Sequence, residues 1–598
     1  MGSRKSINPR PSSPPEMKKS EDFGEWYIEV IDKANLSDKR YPIKGMNVWT
    51  PYGWAVMRRI DEFIRQEMAA TGHDEVCFPL LIPETEFKKE SKHIKGFEEG
   101  VFWVTHAGLN PLDVKLLLRP TSETAMYPMF ALWIRSHADL PLKTYQIVNV
   151  FRYETKVTRA FMRVREIHFF ESHTCHATFD EAEAQIREDL EIMDRVARRL
   201  ALPYLLMRRP EWDKFPGAFY TTAVDVYVAG AGRTLQVGGI HQYKDNFARA
   251  YDVKFEKDIS QADFAAYIAK LLESMGYDDI RFRAVSPDAV LARPDVEAKK
   301  GGKRVAVEVK RRIKDDADGK ALEAIFDQMK DPSIHHILIT HDVPKEMAER
   351  LTTKGVEIWN ETKVAEMAKA AGQEPLVFHQ YVHQTTYGMS ERLIGTIVAV
   401  HGDDKGLVFP PDVAPTQIVV VPIPEKGRQE IIAEESRRLR DELAGIFRVH
   451  LDDRDIRPGS KYYEWEAKGV PLRIELGPKD LQKEVVTVVR RDTSVRSTLP
   501  RKDLVSSVAK LLDAIQGGMW KREEKRLLDS IVDVKDMSGF KEALNRASWC
   551  GSEECGHEIE NKTGMAVLGT PAKEEKPGAT CVACGKPAKQ VIYVAKTF

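Results

Sequence analysis

The stretch RPTSET at 119–124, followed by VFRYE at 150–154 and RAFMRVREIHFFESHTCH at 159–176, decides how this chain reads. Arg152 and Arg163 stand among acids, aromatics and histidines within one short block. Arginine offers a planar, permanently charged fork that suits phosphate oxygens, so the block predicts a polyphosphate-binding surface. The chain has neither a Walker loop nor a GxGxxG fingerprint, so a nucleotide must be held in another way. A charged hairpin whose arginines only pair with neighbouring glutamates would explain any single RxE tripeptide. It does not explain the whole block.

Composition bounds less. At 598 residues the chain exceeds the ~250–300 at which single cores stop growing, so several domains are expected. Hydrophobic residues make up 42% and charged residues 30%, as in ordinary soluble proteins. With a net charge of −1, any RNA-binding surface must be a local basic patch. No apolar run approaches the ~20 residues needed to span a bilayer, and the N-terminus lacks an apolar signal core. No membrane partner is expected, and the cytoplasm is the expected compartment. Residues 1–20, rich in Ser, Pro and Lys, read as a disordered tail.

Four of the six cysteines lie near the C-terminal end, as Cys550-x4-Cys555 and Cys581-x2-Cys584. Paired cysteines separated by a longer loop suit structural, tetrahedral zinc, because each pair supplies two thiolates from one turn. Disulfides are the competing reading, and a cytosolic setting argues against them. His557 is an alternative ligand ranked below the four cysteines. Cys77 and Cys175 read as packed thiols.

The 119–176 block resembles the second signature motif of class II aminoacyl-tRNA synthetases, most closely the prolyl-tRNA synthetases of archaeal and eukaryotic type. The similarity extends through DFGEWYIEVIDKANL at 22–36, GHDEVCFPLLIPETEF at 72–87, LQVGGIHQYKDNFARAYD at 235–252 and HQTTYGMSERLIGTIVAVHGDDKGLVFPPDVAP at 383–415. It resumes in EWEAKGVPLRIELGPKDL at 464–481 and reaches Phe598; residues 256–376 fall outside it. The resemblance implies an α+β protein whose catalytic domain is an antiparallel β-sheet flanked by helices. An α/β insertion, an α/β anticodon-binding domain and a C-terminal α+β zinc module complete it. The expected layout is catalytic domain at 21–257 and 376–412, insertion at 258–375, anticodon-binding domain at 413–515 and zinc module at 516–598.

A helix at 47–70, with Trp54, Met57, Ile60, Phe63, Ile64 and Met68 at helical spacing, and a strand at 75–83 resemble the dimer-forming first motif. A helix is expected at 120–135, a strand pair at 144–154 and 165–174, and the third motif, a strand and helix around Arg392, at 385–415.

By resemblance, the activity is ATP-dependent formation of prolyl-adenylate with release of pyrophosphate, then transfer of proline to tRNA(Pro). Arg152 would touch both the α-phosphate and the proline carboxylate, and Glu154 would accept from the adenine amino group. Arg163 would reach the outer phosphates, and Arg392, with Ser390 nearby, would clamp the γ-phosphate or stack on adenine. Gln236 would help place ATP and its Mg2+. Thr121 and Glu123 match positions that receive the proline nitrogen, while Glu171, His173 and His241 line the proline site and Phe169 walls it. The sequence departs from the family pattern at Gly239, where a threonine that touches the nucleotide is usual, at Ser172 in place of glycine, and at Phe598 in place of tyrosine. In the anticodon region Glu466, Arg473 and Lys479 are carried over as base-reading positions, with Arg490 or Arg491 as backbone contacts.

The insertion reads differently. RPDVEAKKGGKRVAVEVKRR at 293–312 predicts a β-hairpin turning at Gly301-Gly302, between a helix at 260–275 with a strand near 280–285 and a downstream helix carrying Gln328, the strand HHILIT, a helix at 344–353 and GVEIWN. Asp295 and the Glu308-x-Lys310 pair share the D-x(12)-ExK spacing of restriction-endonuclease-like folds, and the segment resembles an Mrr-type nuclease domain. Asp295 and Glu308 would hold Mg2+ while Lys310 orients or activates a water. An alternative for the whole chain is an RNA-binding or nucleic-acid-processing protein on a synthetase scaffold, with the insertion as the active nuclease.

Overall fold

Local chemistry sets the first long helix. Thr50 accepts a hydrogen bond from the Gly53 N–H, Pro51 takes the first helical position, and the helix runs Pro51–Ala70. Met57, Ile60, Phe63, Ile64 and Met68 are buried along one stripe, whereas Trp54, expected on that stripe, is 38% exposed. The strand expected at 75–83 is broken into Asp74–Glu75 and Leu81–Pro83. Pro79, between them, lacks the N–H that a continuous ladder would need.

A computed structural model describes residues 15–90, 97–257, 259–282, 294–313, 316–328, 331–376 and 379–598. Of the tail expected at 1–20, residues 1–14 lie outside the described residues. Residues 16–19 are tied down rather than loose: Glu16 N–H donates to Glu29, and Lys19 Nζ donates to the Gly402 carbonyl at 2.7 Å and lies over the Trp26 ring. The chain forms two units, Met1–Leu132 with Pro141–Val253 and Val382–Phe598, and Trp133–Leu140 with Lys254–Tyr381.

The first unit is built on a mainly antiparallel sheet of 11 strands. Six of them carry the site: β1 (Leu142–Phe151), β2 (Glu166–His176), β3 (Leu205–Arg208), β4 (Tyr220–Val228), β5 (Arg233–Lys244) and β6 (His383–Ser390). Their spatial order is β3-β4-β5-β6-β2-β1. Helices Phe179–Arg199 and Arg392–His401 cover one face through a core that includes Ile192, Val196, Leu393 and Ile397.

The cysteine-bearing segment is not a separate bead. Strands Ile531–Val534, Leu544–Trp549, Gln590–Thr597 and Ala566–Pro571 extend the same sheet, with Thr570 and Pro571 pairing β3 at Arg208 and Met207. The segment after the third motif forms its own five-stranded sheet, ordered Val449–Leu451, Ile418–Pro422, Leu472–Leu476, Val485–Arg490 and Arg496–Pro500.

The second unit is an α/β sheet ordered Asp278–Phe282, Val296–Lys300, Lys303–Arg312, Ile334–Asp342 and Val356–Trp359, the last three strands parallel. The hairpin turns where expected: Gly301 and Gly302 have φ of +56° and +80°, the left-handed pair that a tight turn of this kind needs. Gln328 ends the helix Asp316–Gln328.

Candidate active site

Sheet register assembles the carboxylate–histidine half of the site. Cross-strand neighbours run Thr144–His173–Thr386–His241–Thr221, and the adjacent row runs Gln146–Glu171–Gly388–Gly239–Ala223. Since strand side chains alternate faces with a period of two, Phe169, Glu171 and His173 share one face of β2. Gly388 makes room there: a Cβ on it would lie 2.8 Å from Phe169 Cζ. Thr121 and Glu123 come from the turn that starts helix Glu123–Trp133, and the Thr121 hydroxyl donates to Glu123.

The acceptors are individually held. Ser122 Oγ and Gln146 Nε2 donate to Glu171 Oε1, and His173 Nε2 lies 3.2 Å from Glu171 Oε2. Burial alone would raise the Glu171 pKa, but the bonds from His173, Ser122 and Gln146 hold it below the ordinary carboxylate value. Burial opposes charge on His173 too, yet its bond to Glu171 and the charges of Glu123 and Glu171 raise its pKa. His241 goes the other way: burial, then repulsion from His173, lowers it to about 3, so it is neutral. Its Nδ1 meets the Thr221 hydroxyl at 2.8 Å, and that hydroxyl accepts from the Phe215 N–H. Glu123 accepts from the Thr121 and Tyr243 hydroxyls and Glu171 is held toward its ionised form, so this half offers carboxylate oxygens that suit an ammonium.

Three arginines define the other half. Arg152 follows β1, Arg163 lies in the loop before β2, and Arg392 opens the helix after β6. Arg152 Nε donates to the Pro120 carbonyl at 3.2 Å, and its guanidinium lies 6.0 Å from the Phe169 ring. Arg392 Nε donates to the Met162 carbonyl at 2.8 Å, and its backbone N–H donates to Ser390 Oγ. Burial, then the positive charge of Arg152, lowers the Arg392 pKa to about 10. Converging cations that raise one another's cost are a site built for anions. Glu154 lies 3.9 Å from Arg163, and Gln236 Oε1 accepts from Arg209, which a buried pair with Asp225 fixes. At Gly239 a Cβ would sit 3.1 Å from His241 Nε2 and 3.3 Å from Gln236 Nε2, so the glycine leaves the space those two side chains use.

All thirteen residues expected in the two half-sites line one cavity of about 520 Å3. Sequence reading missed their supports. Tyr243 OH donates to Glu123 Oε1 at 3.0 Å, Tyr127 OH meets His173 Nδ1 at 3.2 Å, and Arg209 anchors Gln236. Only Tyr243 left a signal, two residues from His241 on the same strand face. Glu391 was also missed. It lines the cavity with Oε2 buried and, among the described residues, without a hydrogen-bond partner, and burial raises its pKa to about 8. A carboxylate oxygen of this kind fits a magnesium ion. Phe598 reaches the site as well: Arg163 Nη2 donates to its carbonyl at 3.1 Å, and its ring packs on Phe23.

In the five-stranded domain, Arg473 donates to Glu466 and Glu475 and stacks 4.0 Å over Tyr462, with Arg496 also on Glu475. Lys479 is exposed on the short helix Pro478–Gln482 and is not part of that chain of charges. Arg490 pairs with Asp492 through two bonds. Arg491 is buried on Asp403 and so is not the surface contact considered for it.

The Sγ atoms of Cys550, Cys555, Cys581 and Cys584 lie within 4.8 Å of one another, and those of Cys550 and Cys584 are 3.8 Å apart. Tetrahedral zinc with thiolates at ~2.3 Å requires about 3.8 Å between sulfurs, so the set fits that metal. All four are free thiols, which sets aside the disulfide alternative. His557 packs at a tilt against Trp212 between Glu553 and Glu560 instead of joining the cluster.

Four family models match the chain. They are the tRNA synthetase class II core domain (G, H, P, S and T) at 102–269, a restriction endonuclease domain at 256–368, an anticodon binding domain at 417–511, and the prolyl-tRNA synthetase C-terminal domain at 537–598. The chain is 44% identical over 594 residues to the proline--tRNA ligase of Thermococcus kodakarensis, covering 97% of this chain and 99% of that protein. It is 45% identical to the enzyme of Pyrococcus abyssi over 592 residues (97% and 98%) and 39% identical to that of Methanosarcina mazei over 588 residues (97% of each). A chain that shares this much sequence with such enzymes along their whole length belongs to the proline--tRNA ligase family.

Proposed function

We propose that this protein activates proline with ATP and transfers it to tRNA(Pro). One observation carries the reading: a single cavity joins an ammonium-binding carboxylate–histidine half to a three-arginine half, with Arg152 between them. A proline carboxylate oxygen attacks the α-phosphorus, the bond from phosphorus to the bridging oxygen breaks, and pyrophosphate leaves. The terminal adenosine hydroxyl of the tRNA then attacks the prolyl carbonyl and displaces AMP. The protein's part is to hold two anions in contact and neutralise the charge that develops.

In this scheme Thr121, Glu123 and Glu171 receive the proline nitrogen, and Phe169 and neutral His241 wall the ring. Arg152 bridges the carboxylate and the α-phosphate; Arg163 and Arg392 take the outer phosphates. Glu154 accepts from adenine, while Gln236, Gly239 and Ser390 line the ATP side. Magnesium would supply positive charge to the phosphates, with Gln236 helping to place it and Glu391 able to offer it an oxygen. Zinc in the four-cysteine cluster is structural, since four protein ligands leave no open position. Glu466, Arg473 and Lys479 read the anticodon, with Arg490 on its backbone. Exposed Trp54, Leu80 and Leu81, in the segment that resembles the first motif, support a homodimer. No described helix is long and apolar enough to cross a membrane, and the cytoplasm is the proposed compartment. Proline-dependent ATP–pyrophosphate exchange tests the reading; exchange no higher than in a control without proline sinks it.

A further inference from the structure

The loop 210–217, between β3 and β4, lines the cavity through Trp212, Asp213, Lys214, Phe215 and Pro216. Phe215 serves the carboxylate–histidine half. Its ring centroid lies 4.8 Å from that of His241 and 5.8 Å from that of Tyr243. Its N–H donates to the Thr221 hydroxyl that meets His241 Nδ1. Three residues earlier, Trp212 packs against the hydrophobic cluster of the C-terminal segment, which includes Trp549, Cys555, Ile559 and Cys581. Its ring meets Trp549 edge-on at 6.2 Å and His557 at 4.7 Å, and its Nε1 donates to Glu560 at 3.4 Å. Glu560 is itself held, because its Oε1 accepts from the Val567 N–H and its Oε2 lies 3.2 Å from His557 Nδ1. The seat for the indole is buried Gly556, on helix Glu553–Thr563. A Cβ there would lie 2.2 Å from Trp212 Cη2 and 2.6 Å from Cζ2, well inside van der Waals contact. Alanine is the better helix former at such a position, so it is the close approach of the indole that requires glycine.

We infer that Trp212 is a positioning residue: seated on Gly556, it holds loop 210–217 and, through Phe215, the His241 wall of the proline pocket. The inference rests on the proline activation proposed above. The loop is fastened at two points that serve different halves of the cavity. Arg209, at its start, donates to the Leu568 carbonyl and to Asp225, and holds Gln236 on the ATP side. Trp212 holds the part of the loop that leads to Phe215, on the proline side. Unseating the indole therefore moves the proline wall and leaves the Arg209 contacts in place. A displacement of about 1 Å in a positioning element can cost on the order of 10²-fold in rate, so an indirect contact of this kind is felt at the substrate. Cys555 precedes Gly556 on the same helix, so the fold of the four-cysteine segment sets where the seat lies.

The test uses the full chain and two readouts: amide hydrogen exchange of residues 209–221, and the KM values for proline and ATP in pyrophosphate exchange. Gly556→Ala should speed hydrogen exchange in that segment and raise the proline KM about tenfold, with the ATP KM unchanged. Trp212→Ala, which removes the ring without a clash, should loosen the same segment. Adding Trp212→Phe to Gly556→Ala should recover most of both effects, because phenylalanine lacks the ring atoms that face the new methyl group. Unchanged hydrogen exchange in both single variants overturns the seat, and a double variant no better than Gly556→Ala overturns the steric account. Faster hydrogen exchange with an unchanged proline KM, or equal rises in both KM values, overturns the link to the proline pocket. A parent protein without proline-dependent pyrophosphate exchange removes the proline reading and that link with it, while hydrogen exchange still decides whether Trp212 fastens the loop.

Discussion

Two clusters in this protein use the same kinds of side chain to opposite ends. Glu123, Glu171 and His173 in the first unit, and Asp295, Glu308 and Lys310 in the second, each bring two carboxylates and a basic group together in a mostly buried place. Glu171 is held below the ordinary carboxylate range, whereas Glu308 is pushed up to about 7. The difference is the supply of donors. Glu171 receives Ser122, Gln146 and His173, while Glu308 receives Lys310 on one oxygen and, among the described residues, has no partner for the other. Burial penalises both; hydrogen bonding decides the sign.

The largest effect is expected at Arg152, which lies between the two halves of the first site. Arg152→Ala should reduce proline-dependent pyrophosphate exchange by about 10³-fold or more, the range for losing a preorganised charge at the reacting phosphate. Near-normal rates would refute its bridging role.

Glu171→Gln should raise the proline KM and destabilise the first unit by about 3 kcal/mol, because it leaves the buried His173, whose pKa Glu171 helps to raise, without that carboxylate partner. The pH sign follows from the pair. Because the Glu171 pKa is depressed, its contribution to stability is present above the unfolded carboxylate value and is lost as pH falls. Because the His173 pKa is raised, its contribution is full below the unfolded histidine value and is lost as pH rises through the folded one. A thermal melt that is flat across that window in the parent protein would contradict the ion pair.

Glu308→Gln should do the reverse. A carboxyl with a raised folded pKa stabilises the fold at low pH and costs stability as pH rises from its unfolded value toward about 7. In chelator at pH 8 the variant should therefore stabilise the second unit by about 2–3 kcal/mol, with little change at pH 4. Limited proteolysis of residues 254–381 across pH reports it, and a destabilised variant at pH 8 would show that the Lys310 ion pair outweighs the cost of burying Glu308.

The smallest effect concerns Phe598. Phe598→Ala removes ring packing on Phe23 and loosens the carbonyl that holds Arg163. It should change the ATP KM by about two- to fivefold, the scale of one neutral contact, while the proline KM stays put. Equal shifts in both would point to general damage.

Much of the site was legible because class II motifs keep charged residues at fixed offsets within single strands and their adjoining loops. Phe169, Glu171 and His173 alternate along β2, so the sequence shows that they share a face. Arg152 and Arg163 flank the loop between β1 and β2. Pro79 ended the first-motif strand earlier than its apolar content suggested, and Trp54 stayed exposed although periodicity placed it with the core. In the first a missing N–H breaks a strand, and in the second an apolar side chain at helical spacing is left partly exposed.

The sequence by itself determined which chemistry is present: the arginines, the carboxylate–histidine set, the four cysteines and the ExK hairpin, all declared by residue type and short spacing. Tertiary structure decided which groups are satisfied. Tyr243 reaches Glu123 across 120 residues, Arg163 meets Phe598 across 435, and the strands of the C-terminal segment that carries the four cysteines extend the large sheet at β3. None of this is periodic or local, because a hydrogen bond between distant segments leaves no trace in the spacing of either one. That long-range satisfaction is what separates Glu171 from Glu308.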